Sequence, residues 1–184
     1  MVSYCAFLRG IGPGKPGNDA LRKCFEGLGL EGVSTVLSSG NVLFSTDSSD
    51  SPEVLEERIQ RALQQQCRIG GGTILRSRQE LAELMERQPF GGLSHSKETY
   101  LTVTFLKQPL AAVSETPDPP EEAIPHVRVL GYDHASRALL AVVDQTQAKA
   151  ADYMVWLQSR FGTEITTRTW NTLAKVRAKL PAQG

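Results

Sequence analysis

Few residues in this chain have the type and spacing to do chemistry, and they fall in three short polar runs. Arg9, Lys15 and Asn18 lie close together around a glycine-rich loop. Two cationic side chains beside a helix start suit an anion. Arg168, Asn171 and Thr172 form a second polar set at the start of a helix, where the dipole again favours negative charge. Ser39-Gly40-Asn41 is the third run. It reads first as a tight turn, because Gly and Asn tolerate positive φ. The second run also has a structural reading, with Thr169 capping the helix and Trp170 packing in the core. No nucleophile can be paired with a base anywhere in the chain. The sequence therefore assigns no catalytic residue, and it leaves open an enzyme whose substrate or cofactor supplies the missing chemistry.

The loop itself fits a nucleotide fingerprint only in form. Gly12, Gly14 and Gly17 match GxGxxG between a strand and a helix. No acidic residue ends the second strand, where Leu37-Ser38 stand, and Pro13 and Pro16 each lack the N–H that a phosphate needs. A P-loop is excluded by one missing residue before Lys15 and by Pro16 in the Ser/Thr position. A plain loop, or a looser anion site, fits better.

Composition narrows the classes further. The 184 residues carry 20 Lys plus Arg and 20 Asp plus Glu, a net charge of zero. A polyanion binder normally shows a basic excess, so nucleic acid is disfavoured as the main partner. It is kept as an alternative because Arg160, Arg168, Lys175, Arg177 and Lys179 make the C-terminus basic. An RRM-like sheet face would need exposed aromatics, for which Tyr4, Phe7, Phe44, Tyr100 and Phe105 are the candidates. Cys5, Cys24 and Cys67 are odd in number and lack CxxC spacing, which argues against a disulfide framework and against a zinc site. Cys5 and Cys24 read as core thiols, and a reducing cytoplasm fits. No metal or cofactor is implied. Val2 to Leu8 is too short to span a membrane and lacks the flanks of a signal peptide. Asp47, Asp50, Glu53, Glu56 and Glu57 read as a solvated acidic face at a helix start.

The elements that must position these residues follow from periodicity and punctuation. Val2–Leu8 predicts a strand, and Asn18 caps a helix to about Leu28. Val33–Leu37 and Val42–Ser45 predict strands around a turn at residues 38–41. Ser51-Pro52 opens a helix to Cys67, which Gly70-Gly71-Gly72 ends. Thr73–Arg76 is a short strand, and Ser77 with Glu80 forms a capping box for a helix ending near Gln88. After a linker at 91–96, Thr99–Leu106 is a strand. Residues 109–125 are acidic and proline-rich, a surface segment. Strands at Val127–Leu130 and Ala138–Val143 flank Gly131-Tyr132-Asp133. A helix over 147–161, a strand over 164–167 and a final helix over 169–180 complete the chain. The strand starts near Val2 and Thr99, and near Val42 and Leu139, share one offset. That points to an α+β fold of duplicated ferredoxin-like β-α-β-β-α-β halves with antiparallel sheets and a C-terminal helix. The halves are placed at 1–90 and 97–184.

Leu8-Arg9-Gly10-Ile11, Ser39-Gly40-Asn41-Val42 and Arg168-Thr169-Trp170-Asn171-Thr172 together resemble the bacterial DUF1697 family, whose members have no assigned function. The likeness covers essentially the whole chain, and Gln88-Pro89-Phe90 resembles the family's Asn-Pro-Phe. The resemblance implies two ferredoxin-like halves and supplies no activity. Where the family loop reads Arg-Gly-Ile-Asn, this chain has Gly12, and Thr169 stands where the family has a further Asn. The family pattern also raises the prospect that the three runs converge. Arg9, Gly10, Ser39, Asn41, Arg168 and Asn171 would then form one site joining both halves. Two arginines with amide and hydroxyl donors suit a small phosphate- or carboxylate-bearing ligand. The cluster contains no general base of suitable pKa, so hydrolysis by it alone is hard to write.

Overall fold

The structure is a computed structural model that describes residues 1–12, 14–110, 124–147 and 151–181. The chain divides into two compact units. One comprises Met1–Leu81 with Ala174–Gly184, and the other Ala82–Leu173.

In the first unit, β1 (Val2–Leu8), α1 (Asn18–Glu26), β2 (Glu31–Thr35), β3 (Asn41–Thr46), α2 (Pro52–Cys67) and β4 (Thr73–Ser77) follow the expected order. The sheet runs β2-β3-β1-β4, antiparallel throughout. Tyr4, Ala6, Leu8, Phe44 and Leu75 alternate onto the face that meets Leu21 and Phe25 of α1 and Leu55, Ile59 and Leu63 of α2. Cys5, Phe7, Leu43 and Ile74, which alternate with them, are also buried. A strand buried on both faces reads as an unbroken apolar run, which is why Val2–Leu8 is so legible.

The second unit repeats this plan. The chain passes from the first unit to the second along α3 (Arg78–Glu86); β5 (Tyr100–Leu106), β6 (Val127–Asp133), β7 (Ala138–Val143), α4 (Ala151–Phe161) and β8 (Ile165–Thr169) follow, and the chain returns to the first unit along α5 (Trp170–Lys179). The sheet order β6-β7-β5-β8 is the first sheet's order shifted by four strands. Tyr153 and Leu157 of α4 pack on Leu139, Ala141, Val143 and Ile165. The fold is therefore α+β, with two four-stranded antiparallel sheets consistent with duplicated ferredoxin-like halves. No helix among the described residues is long and apolar enough to cross a membrane.

The capping chemistry holds in detail. Ser51 accepts from the Val54 N–H ahead of Pro52 at 3.4 Å. Ser77 and Glu80 bond reciprocally, Glu80 N–H to Ser77 Oγ at 3.1 Å and Ser77 N–H to Glu80 Oε2 at 2.7 Å. Other expectations need correcting. Asn18 does not cap α1; Gly17 does, without a side chain, and Asn18 is the first helical residue. The helix ends at Glu26 rather than Leu28. β2 covers 31–35 rather than 33–37, because Leu37 takes a left-handed φ of 60° that no strand contains. β6 runs through Gly131-Tyr132-Asp133, and the turn falls on 134–137, where Asp133 accepts from the Ser136 N–H at 2.8 Å. Most of the proline-rich stretch (111–123) and residues 148–150 of the expected helix lie outside the described residues.

Glu56 is the largest departure. It is 1% exposed, not solvated, and its Oε1 accepts the Leu75 N–H at 2.8 Å. β4 is an edge strand, so that N–H has no neighbouring strand to bond. Glu56→Ala should cost about 1–3 kcal/mol in urea unfolding, the penalty for a buried donor left bare. Glu56→Gln, which keeps an acceptor, should cost clearly less; equal losses would show that the charge matters and the acceptor does not.

Burial, then the neighbouring Cys67, pushes the Cys24 thiol from 9.0 up to about 11. A raised pKa means stability is intact below pH 9, where the unfolded thiol keeps its proton, and is lost as pH rises through 11. Cys24→Ala should flatten the decline in unfolding free energy across that window.

Candidate functional site

The runs around Arg9 and Ser39-Gly40-Asn41 meet at one end of the first sheet, where β1 runs out between two loops. Leu8 N–H bonds the Gly40 carbonyl at 2.8 Å, and Arg9 N–H bonds the Gly72 carbonyl at 2.9 Å. The approach is very close on one side. A Cβ at Gly71 would lie 2.0 Å from the Arg9 carbonyl oxygen, well inside contact distance. Gly40 has φ +75°, and a Cβ there would meet Ile11 Cγ1 at 2.6 Å. Arg9, Gly10, Ser39 and Asn41 are thus placed by glycines, Gly71 against the Arg9 backbone and Gly40 against the Ile11 side chain.

Asn41 is 1% exposed. Its Nδ2 donates to the Val36 carbonyl at 2.9 Å and to Ser39 Oγ at 3.0 Å, while its backbone carbonyl accepts the Val36 N–H at 2.9 Å. The side chain thus holds the 36–41 turn from inside. Asn18 Nδ2 donates to the Leu37 carbonyl at 3.0 Å, tying the first turn of α1 to the same loop. Leu37 is 46% exposed and holds a left-handed conformation that costs a bulky residue energy. The bonds from Asn18 and around Asn41 compensate for that strain.

Beside this turn lies an open cleft of about 830 Å³. Its wall is Ile11, Gly12, Gly14, Lys15, Pro16 and Gly17, the first turn of α1 from Asn18 to Ala20, and Ser38. Lys15 is exposed, and Asp19 is paired with Arg22. None of the expected ligand residues forms the wall itself. Arg9 and Gly10 precede Ile11, and Ser39 follows Ser38.

Arg168 and Asn171 belong to the second unit. Arg168 Nη1 donates to Thr166 Oγ1 at 2.8 Å and to the Thr167 carbonyl at 2.9 Å. Thr169 caps α5 as expected, its Oγ1 accepting the Thr172 N–H at 3.2 Å. Asn171 is exposed on the first turn. Trp170 is half-buried, edge-on to Phe90 at 5.1 Å between ring centres.

Sequence reasoning passed over Arg76. It is fully buried and donates from Nη1 to the Leu75 carbonyl at 2.6 Å. Arg76 stands opposite Cys5 on β4, and Arg168 stands opposite Val103 on β8. Each is the penultimate residue of its strand, folds back on the preceding carbonyl and is followed by a hydroxyl that caps a helix. The repeated Arg-Ser and Arg-Thr at strand ends was the available signal.

The comparisons with known proteins settle the family. Residues 1–130 match the family described as a protein of unknown function, DUF1697. The chain belongs to the DUF1697 family. It is similar in structure to the conserved bacterial protein SP0830 from Streptococcus pneumoniae, with a TM-score of 0.67 and 20% sequence identity over 97% of each chain. At that identity the likeness shows the fold alone. No curated protein matches the chain. In this DUF1697 chain, Gly12 forms part of the cleft wall.

If Asn41 and Gly71 hold the site together, both should matter to stability. Asn41→Ala should cost about 1–3 kcal/mol for the turn donors and acceptors left unmet. Gly71→Ala should cost about 1–3 kcal/mol through the forced clash with Arg9. Ser39→Ala, at an exposed position, should stay within about 0.5 kcal/mol. Chemical denaturation of the three variants checks the ranking, and an unaffected Gly71→Ala protein would show that the approach is not tight.

Proposed function

We propose that the first unit binds a small anion, bearing phosphate or carboxylate, in the cleft beside α1. The observation that carries this reading is the cleft itself, with Lys15 and Ser38 in its wall and the N-terminal end of α1 closing it. The positive end of a helix dipole, a primary ammonium and a hydroxyl are all complementary to an anion. Arg9 and Ser39 flank that wall in the chain and add donors at its margins. Asn41 acts by shaping the turn that presents Ser38 and Ser39. The proposal rests on the first unit alone and uses neither Arg168 nor Asn171.

The nucleic-acid alternative has less to stand on. Tyr4 and Phe44 stack at 5.7 Å within the helix-facing core, and Phe7 and Phe105 are fully buried. Stacking on bases needs aromatic faces open to solvent.

A thermal-shift screen against inorganic phosphate, nucleotides, sugar phosphates, carboxylates and short oligonucleotides tests the reading. A ligand at 100 times its Kd should add about 2.7 kcal/mol of stability. Lys15→Ala should weaken a genuine hit about tenfold or more, the value of one charged hydrogen bond. No shift with any anion, or an equal shift in Lys15→Ala, would overturn the proposal. A response to oligonucleotides alone, declining steeply with salt, would favour the alternative.

A further inference from the structure

Cys24 and Cys67 play no part in the cleft. They sit on two helices, α1 and α2, within one hydrophobic core. Cys67 stands near enough to Cys24 to raise the pKa of its thiol, second to burial. Cys67 Sγ also reaches the Ala20 carbonyl at 3.9 Å. Neither thiol is in a disulfide. Cys67 is the last residue of α2, followed by Arg68 in a left-handed conformation and by Gly70-Gly71-Gly72. A cysteine at a helix end can shift more readily than one held by helical bonds on both sides. Cys5 is on β1, where Tyr4 and Ala6 face this core and Cys5 alternates away from it.

We propose that Cys24 and Cys67 are a redox pair, which a peroxide converts into a disulfide joining α1 to α2. With Cys67 Sγ already at the Ala20 carbonyl, one helical turn before Cys24, a closing movement at the end of α2 brings the sulfurs to the bond length of about 2.05 Å. Burial pushes the Cys24 thiol up to about 11, so it keeps its proton at neutral pH. Cys67, the more exposed of the two at 7% against 1%, reacts first. Its thiolate sulfur attacks one peroxide oxygen, the O–O bond breaks, and the departing hydroxide takes up the thiol's proton as water. Cys67 is then a sulfenic acid. The Cys24 sulfur attacks the Cys67 sulfur, the S–O bond breaks, and the leaving hydroxide takes the Cys24 proton as a second water. Two thiols are oxidised, and one peroxide is reduced to two waters. The cross-link limits how far α1 and α2 separate in the unfolded chain, so the oxidised protein melts at a higher temperature.

The test treats the full, folded chain with hydrogen peroxide, then unfolds it in an alkylating reagent and maps the peptides by mass. The expected product has one Cys24–Cys67 bridge, two hydrogens lighter than the starting protein, with Cys5 alkylated. Its melting temperature is raised, and dithiothreitol reverses the change. In Cys24→Ser, Cys67 should be trapped as a sulfenic acid by dimedone and no bridge should form. Three alkylated cysteines, a bridge that includes Cys5, or Cys67 driven to sulfinic acid while Cys24 stays a thiol would each overturn the proposal. The wild-type peptide map alone decides it if the variant does not fold.

Discussion

The contact on which the first unit most depends is the approach of the Gly71 backbone to the Arg9 carbonyl. There is no room there for even one methyl group. With the neighbouring bonds from Arg9 N–H to Gly72 and from Leu8 N–H to Gly40, it clamps the exit of β1 between two loops. That clamp fixes where the chain leaves the sheet, and so where the loop into α1 begins. The cleft follows from it, because the loop, the first turn of α1 and the turn at Ser38 all start from this end of the sheet.

Around the clamp, buried polar groups act mainly as fasteners. Asn41 spends its amide on the turn it belongs to, and Glu56 closes the exposed edge of β4. Arg76 folds onto the carbonyl before it, and Arg168 does the same in the second unit. Each satisfies backbone or side-chain groups whose burial without a partner would cost more than a single hydrogen bond returns. An arginine or asparagine in a family motif is therefore weak evidence for a ligand until its own partners are known. This is why the anion proposal rests on the cleft and Lys15, and gives Asn41 a supporting role.

The duplication shows what a shared plan preserves. Both units keep the same strand order, the same register pattern at the central strand and the same strand-to-helix junction with an arginine followed by a hydroxyl cap. In the first unit the segment between β1 and β2 carries the glycine-rich loop and α1, and with them the cleft and Cys24.

The sequence by itself determined the order of elements, the duplication and most of the caps. Apolar periodicity and the chemistry of Ser51-Pro52, Ser77/Glu80 and Thr169 act over a few residues, so they are written locally. It also carried the family motifs. Tertiary structure decided what those motifs do. Leu37 leaves the strand because Asn18 and Asn41, distant or turned inward, hold its loop in a left-handed bend. Glu56 is buried because an edge strand far along the chain needs an acceptor. Gly71 reads as a helix breaker in sequence, yet any side chain there is excluded by Arg9, 62 residues away by chain but adjacent in space. Steric exclusion and hydrogen-bond pairing between segments distant in the chain have no local pattern, and the cleft is made of both.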